Sequence, residues 1–443
     1  MAIPIIESQI SDKITAPKSF HDNAQLLEIF YSGCSKNKRL GVEFEKLGVT
    51  SDYKAASFDK ISNILKNYSE KENFVTLKEN NKLLGLKMPN GIISLEPGAQ
   101  FEVSFNPFDT VEEIETELVN YNKITSQSAH ENGVTFIGYG MQPLSCFEEI
   151  KIIPKKRYEF MTKYLPSAGL LPFVMMRETA GVQVSVDYES QEDAVKKLAC
   201  ALRLAPFFSA LFSNSPIRGG RLNNHKSYRA KAWLNTDNKR CGLVSKKLFS
   251  SYEEFTFQDY AEILLDVPMI LLRDKYVGDM TFREYMSQNQ IDIEDWYTHL
   301  SLFFPDVRLK SYIEIRNHDS QRPELLPAIP ALYKGILYNE DCMDAVFKLF
   351  EDFSYFDFEY IRHNAPLLGM DFDIRSKRLN LWIEALVDIA QSGLKSFGKG
   401  EEKYLEPIYA LLKQDKTPAD IIIEKFEGTW KGKLSNLIEY SRL

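Results

Sequence analysis

The sequence predicts an α+β protein: a mostly antiparallel sheet with surrounding helices, then a helical C-terminal region. Three observations carry this expectation. Four short segments alternate apolar and polar residues with period two, as strands with one buried face do. They are Val42-Glu43-Phe44-Glu45, Leu95-Glu96…Gln100-Phe101-Glu102, Val182-Gln183-Val184-Ser185-Val186-Asp187 and Tyr312-Ile313-Glu314-Ile315-Arg316. Turn signals, Asn80-Asn81 and Pro89-Asn90-Gly91, punctuate the extended stretches of the first half. After about residue 330 the apolar spacing becomes helical.

The elements follow in order. Residues 1–20 are polar, contain Pro17 and read as a loose lead-in. Short helical patterns at 24–31 and 58–67 flank the first acidic strand, at 39–47. Phe74 to Lys87 alternates around Asn80-Asn81 and predicts a hairpin that leads into the second acidic strand. There Pro97-Gly98 interrupts the run and demands a bulge or a turn. From Val111, residues Ile114, Leu118, Tyr121 and Ile124 recur at helical spacing until Asn132-Gly133, and a strand follows at 134–139. Gly181 to Tyr188 is the clearest strand. Glu192 to Phe212 reads as a helix kinked at Pro206, and 307–316 returns to sheet. Amphipathic helices are expected at 339–352, 375–394, 401–414 and 417–427. The division expected is a lead-in (1–20), a core (21–335) and a helical region packed on it (336–443).

Composition excludes several classes of function. A net charge of −8 argues against nucleic-acid binding as a main role. No apolar run approaches the ~18 residues of a membrane span, and the N-terminus lacks a basic segment followed by a long apolar one. The five cysteines (Cys34, Cys146, Cys200, Cys241, Cys342) show no C-x-x-C spacing, which argues against zinc and fits a reducing compartment. The expected location is the cytoplasm. No nucleophile elbow, Walker-type loop or dinucleotide fingerprint is present, and Gly138-Tyr139-Gly140 is too short to count as one.

What remains is charge on strands. Glu43 and Glu45 project from one face, and Glu96 and Glu102 can converge on them across the Pro-Gly break. Unpaired, such carboxylates repel one another and some stay protonated. Mg²⁺, or Mn²⁺, removes the difficulty because hard cations bind carboxylate oxygens and bridge them to phosphates. Taken alone, two acids on an exposed strand are as readily a solvated edge. Gln183 offers a neutral oxygen to a crowded cation, or satisfies a buried partner. Glu314 and Arg316 share a face and are equally readable as a structural ion pair. Arg308 and Lys310 add positive charge next to that strand, as ATP phosphates require. In Ser215-Pro216-Ile217-Arg218-Gly219-Gly220-Arg221…Tyr228-Arg229-Ala230-Lys231-Ala232-Trp233, Arg229 can fork onto a carboxylate or phosphate and Trp233 can wall the site. The plainer reading of that stretch is a basic surface loop running into a helix.

Together and in this order the segments resemble the plant and proteobacterial type of glutamate–cysteine ligase. The matching stretches are Arg39-Leu40-Gly41-Val42-Glu43-Phe44-Glu45-Lys46, Ser94 to Glu102, Thr179 to Tyr188, Ser215 to Asp237, and Phe304 to Arg316. The resemblance implies a glutamine-synthetase-like core whose curved antiparallel sheet cradles Mg-ATP. It implies joining of the L-glutamate γ-carboxylate to the L-cysteine amine, as a monomer or homodimer with neither nucleic acid nor membrane as partner. Glu43, Glu45, Glu96, Glu102 and Glu314 are then the expected metal ligands. Arg308, Lys310, Arg316 and Gln183 are expected at the nucleotide, and Arg229, Trp233, Tyr228 and Thr179 at the amino-acid substrates, with Arg229 and Glu314 catalytic. Ligation through an acyl phosphate needs no covalent enzyme intermediate, which agrees with the lack of an activated Ser or Cys. Two departures stand out: Glu178 replaces the arginine before the family's threonine, and Asn317-His318 replaces a small pair. Glu178 motivates the alternative of a different amine acceptor.

Overall fold

Residues 24–443 are described by the structure, a computed structural model; the expected lead-in over 1–20 lies outside them. The first acidic segment forms β1 (Leu40–Thr50), with Leu40, Val42 and Phe44 buried and Gly41, Glu43 and Glu45 on the opposite, more open face. Around it assemble β2 (Val75–Glu79), β3 (Lys82–Met88), β4 (Gly91–Leu95), β5 (Phe101–Phe105), β6 (Val134–Ile137), β7 (Gly181–Val186), β8 (Val307–Leu309) and β9 (Ile313–Asp319). The order is β8-β9-β7-β1-β5-β4-β3-β2, with β6 pairing the far end of β1, and every pairing is antiparallel.

Two expected strands are hairpins. Leu95–Glu102 is the tip joining β4 to β5, where the Ala99 N–H donates to the Glu96 carbonyl and Ala99 takes a φ of 64°. Residues 307–316 reverse at Lys310-Ser311-Tyr312, so Arg308 lies opposite Glu314. Asn80 and Asn81, with φ of 48° and 62°, make the tight turn between β2 and β3 that their side chains tolerate.

The curved sheet implied by the resemblance requires correction. The sheet is open and not curled on itself: pairing stops at β8 on one side and β2 on the other. β8 has three residues and β2 pairs β3 through a register shift, so neither edge offers a ladder long enough to close on. The site's concavity comes from the helices and loops that stand over the sheet.

The face opposite the acids is the core. Phe44, Val103, Val184, Ile313 and Ile315 are fully buried there. The helix Gln191–Leu211 packs behind β8 and β9 and Ala328–Leu337 behind β1 and β7. Pro206 is accommodated within the first of these without ending it. The helix Val111–Glu131 begins at Thr110, whose hydroxyl and the Glu113 carboxylate cap each other's backbone N–H groups. In the C-terminal region Glu340–Leu349, Leu379–Ser396, Glu406–Lys413 and Pro418–Glu427 are helices near their expected positions. Tyr355–Leu368 and Leu434–Tyr440 are helices that periodicity did not reveal.

Candidate active site

Register fixes what meets on the open face. Glu43 lies between Ser104 of β5 and Gln183 of β7, Glu45 lies opposite Glu102, and Ser185 lies opposite Glu314. This face floors a cavity of about 640 Å³. Tyr158 and Met161 of the helix Lys156–Ala168 stand over it, with Met175 and Met176 of the helix Pro172–Glu178, and Trp233 and Phe304 close one end.

At the acidic end, each carboxylate has a different environment. Glu45 accepts the Gly181 N–H at 2.5 Å through Oε2. Burial pushes it up to about 7; Arg229 opposes this and Glu96 reinforces it. Glu102, 6% exposed, accepts only the Ser94 hydroxyl at 3.1 Å and, weakly, that of Ser104 at 3.5 Å. Burial first, then Glu96, Glu43 and Glu45, hold it well above the ordinary carboxylate range. Glu43 is raised by burial and by Glu314, with Lys310, Arg308 and Arg316 opposing. Glu96, at the hairpin tip, accepts the Tyr158 hydroxyl at 3.2 Å. The Gln183 Oε1 atom, buried beside them, has no partner among the described residues. Among the described residues no three acids converge into a ready-made metal cage. Mg²⁺ does not need one, because it usually takes one or two carboxylates and completes its shell with water and phosphate oxygens. The donor set fits such an ion: hard oxygens, mutual repulsion to be relieved and an unsatisfied neutral acceptor.

The other end is cationic. The Glu314 Oε1 accepts Lys310 Nζ at 2.6 Å; its Oε2 accepts Arg308 Nε at 2.8 Å and Arg316 Nη1 at 3.0 Å. Burial is the largest influence on Glu314, and the three cations override it to hold the carboxylate below its ordinary range. One anion for three cations leaves a positive surplus facing the cavity. The Arg316 guanidinium lies 5.6 Å from both the Trp233 and Phe304 rings, which fixes its plane. Burial pulls Lys310 down to about 8.

All five expected metal ligands therefore line one cavity, with Gln183, Arg308, Lys310, Arg316, Trp233 and Thr179. Glu314 alone among the five has both oxygens occupied by cations. The Thr179 hydroxyl is spent on the Met175 carbonyl at 2.6 Å. Arg229, 5% exposed, does not line this cavity; it lies in a smaller neighbouring cleft with Trp233 and Arg316, donating from Nη2 to the Arg316 carbonyl at 2.9 Å. Gly181 separates it from Glu45; a Cβ there would come within 2.5 Å of the Arg229 Nη2. Tyr228 is not brought in: it packs edge-on against His225 at 5.3 Å, with the Arg218 guanidinium over its ring. Glu178 is not brought in either. Its fully buried carboxylate is bonded by Arg218 Nε at 2.7 Å and the Phe147 N–H at 2.8 Å. Sequence reasoning missed Ser104, which alternation with Glu102 places on its face, Ser94, which the β4–β5 register sets opposite Glu102, and Tyr158, for which no sequence signal exists.

The chain matches the profile of glutamate–cysteine ligase family 2 over residues 39–440. The chain belongs to this family. It is 33% identical to the chloroplastic glutamate–cysteine ligase of Arabidopsis thaliana over 428 residues, covering 94% of this chain and 81% of that protein. With the Brassica juncea enzyme the identity is 34% over 419 residues, covering 91% and 81%. With glutamate–cysteine ligase B of Oryza sativa subsp. japonica it is 32% over 433 residues, covering 95% and 86%. Among solved structures, a Francisella tularensis glutamate–cysteine ligase in complex with AMP has the same fold, with a TM-score of 0.57 at 14% identity over 92% of this chain and 88% of that one. A bifunctional glutathione synthetase from Pasteurella multocida gives a TM-score of 0.53 at 14% identity, covering 93% of this chain and 51% of that one.

The chain is accordingly an ATP-dependent carboxylate–amine ligase of the glutamate–cysteine ligase type. Family membership implies dependence on ATP and Mg²⁺ and small-molecule substrates. The cytoplasmic location expected above is overturned: the plant relatives are chloroplastic proteins by name. No helix among the described residues is long and apolar enough to cross a membrane.

Proposed function

We propose that the chain makes γ-glutamylcysteine from L-glutamate, L-cysteine and ATP through a γ-glutamyl phosphate, within a catalytic core spanning residues 21–335. One observation carries this: a single cavity floor presents the carboxylates of β1 and β5 opposite the three-cation array of β8 and β9. Glu43, Glu45, Glu96 and Glu102, with the free Gln183 oxygen, would hold Mg²⁺ or, alternatively, Mn²⁺. Glu314 would join them by exchanging a cation for the metal. Bound there, the metal supplies neutralisation of phosphate charge. Arg308, Lys310 and Arg316 stabilise the charge that moves onto ADP when the γ-carboxylate takes the terminal phosphoryl group. Arg229, reaching the substrate past Gly181, and Trp233 orient glutamate and steady the oxyanion as the amine attacks. The helical region 336–443 supports the core from behind, through Lys334 and Glu401 at 2.6 Å; the assembly is a monomer or homodimer.

The alternative of another amine acceptor drew on Glu178, whose charge is cancelled by Arg218 away from the cavity. Purified protein with ATP, Mg²⁺ and glutamate is tested against a panel of amines, reading phosphate release and product mass. Cysteine should give the fastest release and the dipeptide mass. Release that ignores cysteine and follows another amine refutes the assignment.

A further inference from the structure

We propose that Asp319 is a positioning residue for the reaction, acting through Arg229. Its buried carboxylate at the end of β9 seats the helix Tyr228–Leu234 and supplies a standing counter-charge behind the guanidinium. This rests on reading Arg229 as the cation that meets glutamate.

Asp319 is 2% exposed. Its Oδ2 accepts the Asn214 N–H at 2.9 Å and the Ser215 hydroxyl at 2.7 Å, and its Oδ1 accepts the Ser227 hydroxyl at 2.8 Å. Each hydroxyl has a second task. Ser215 Oγ accepts the Arg229 N–H at 3.2 Å, and Ser227 Oγ caps the helix by accepting the Ala230 N–H at 3.0 Å. One carboxylate thus fixes both oxygens that fix the helix's first turn, the turn from which Arg229 projects. Gly140 makes the room: a Cβ there would sit 2.5 Å from the Asp319 Oδ2. The Gly138-Tyr139-Gly140 fragment, too short to be a nucleotide motif, has this use instead.

All three donors to Asp319 are neutral, so no contact cancels its charge. Among the described residues no carboxylate pairs directly with Arg229, whose Nε has no partner. Burial pulls the guanidinium below its ordinary value, opposed by Asp319 first and Glu45 second. Glu45 faces the cavity and its charge is shared with whatever cation binds there. Asp319 does not line the cavity; burial pushes its carboxyl up, and Arg229 first, then the bonds from Asn214, Ser215 and Ser227, favour its charged form.

Asp319→Asn keeps the shape. The amide oxygen can accept from Asn214 and Ser215 while the amide nitrogen donates to Ser227 Oγ, and only the charge is removed. Glutamate affinity, read by calorimetry with a non-hydrolysable ATP analogue and Mg²⁺, should fall about tenfold, and affinity for the analogue should stay within about twofold. In an Arg229→Ala background the same substitution should add nothing. Unchanged glutamate affinity in Asp319→Asn, or an equal loss with and without Arg229, overturns the proposal. Unchanged glutamate affinity in Arg229→Ala alone would instead overturn the reading of Arg229. Should Asp319→Asn not fold, Ser215→Ala and Ser227→Ala each remove one of the hydroxyls. Each should weaken glutamate binding about threefold in an Arg229-dependent way, and failure to do so is equally decisive.

Discussion

Glu45→Gln removes a charge that the metal-free protein should be better off without. The folded protein holds this carboxyl up to about 7 from an ordinary 4.5, by burial first and with Glu96 adding to it. An acid with a raised folded pKa binds more protons folded than unfolded between those two values. Its contribution is therefore neutral below 4.5, is lost as pH rises through that window, and stays lost above about 7. At roughly 1.4 kcal/mol per pH unit, the interval from 4.5 to about 7 corresponds to about 3.5 kcal/mol. Glutamine has the same shape, and its amide oxygen can still accept the Gly181 N–H. Without metal, Glu45→Gln should match the wild type near pH 4 and exceed its stability by about 3.5 kcal/mol near pH 8. Denaturant midpoints in EDTA across that range measure the difference. Adding Mg²⁺ and an ATP analogue should close the gap from the wild-type side, and turnover should be abolished throughout. Parallel stability–pH curves for the two proteins, or near wild-type turnover in the variant, would refute the reasoning.

Glu314→Gln should also abolish turnover with the fold retained, but its stability moves the other way. It strips the carboxylate from Arg308, Lys310 and Arg316 and should cost about 3 kcal/mol in a denaturant titration; a gain in stability would contradict this. Lys310, pulled down to about 8 by burial, loses its charge as pH rises through that value. ATP affinity should fall above about pH 8 in the wild type and stay flat in Lys310→Arg, as calorimetry would read. Gly181→Ala puts a Cβ 2.5 Å from the Arg229 Nη2. The glutamate KM should rise about tenfold with the ATP KM within about twofold, and equal changes in both would tell against Arg229 as the glutamate contact. Glu178→Gln should lower stability by about 3 kcal/mol while leaving the cysteine KM unchanged; a large KM change would restore Glu178 to the acceptor site.

The acidic strands were legible because alternation is local: Val42 and Phe44 go one way and Glu43 and Glu45 the other, whatever the rest of the chain does. That the Glu102 strand pairs β1 is a long-range fact, and no periodicity encodes the Glu45–Glu102 register. Pro97-Gly98 announced an interruption but not its kind; only pairing decides between a bulge and the hairpin found. Tyr158 entered the site unannounced because it comes from a helix whose packing, not its pattern, carries it over the floor. Glu178 misled for the converse reason: next to Thr179 in sequence, it sits on the last turn of a helix that turns its carboxylate toward Arg218. Nothing in the sequence around Asp319 marks it out. Its burial against Gly140, Ser215 and Ser227 depends on three segments more than 90 residues away from it.

Strand order turns these separate facts into a device. Across the sheet from its β8 edge, the open face is cationic on β8 and β9, neutral on β7 through Gln183 and Ser185, and acidic on β1 and β5. The neutral strand matters. Were β7 to carry carboxylates toward both sides, Arg308 and Lys310 would swing onto them and the surplus positive charge would vanish into internal ion pairs. With Gln183 in between, Arg308, Lys310 and Arg316 bond Glu314 and no acid of β1 or β5, so they act on Glu43 only at a distance. A metal-bound polyphosphate would carry complementary charges on one molecule, and under the proposed function Glu43, Glu45 and Glu102 would hold its cation while Arg308, Lys310 and Arg316 would meet its oxygens. A Gln183→Glu substitution would test this. It should collapse the separation by pairing with the array, weakening nucleotide binding while stabilising the ligand-free protein. Tighter nucleotide binding in that variant would mean that the neutral strand is incidental.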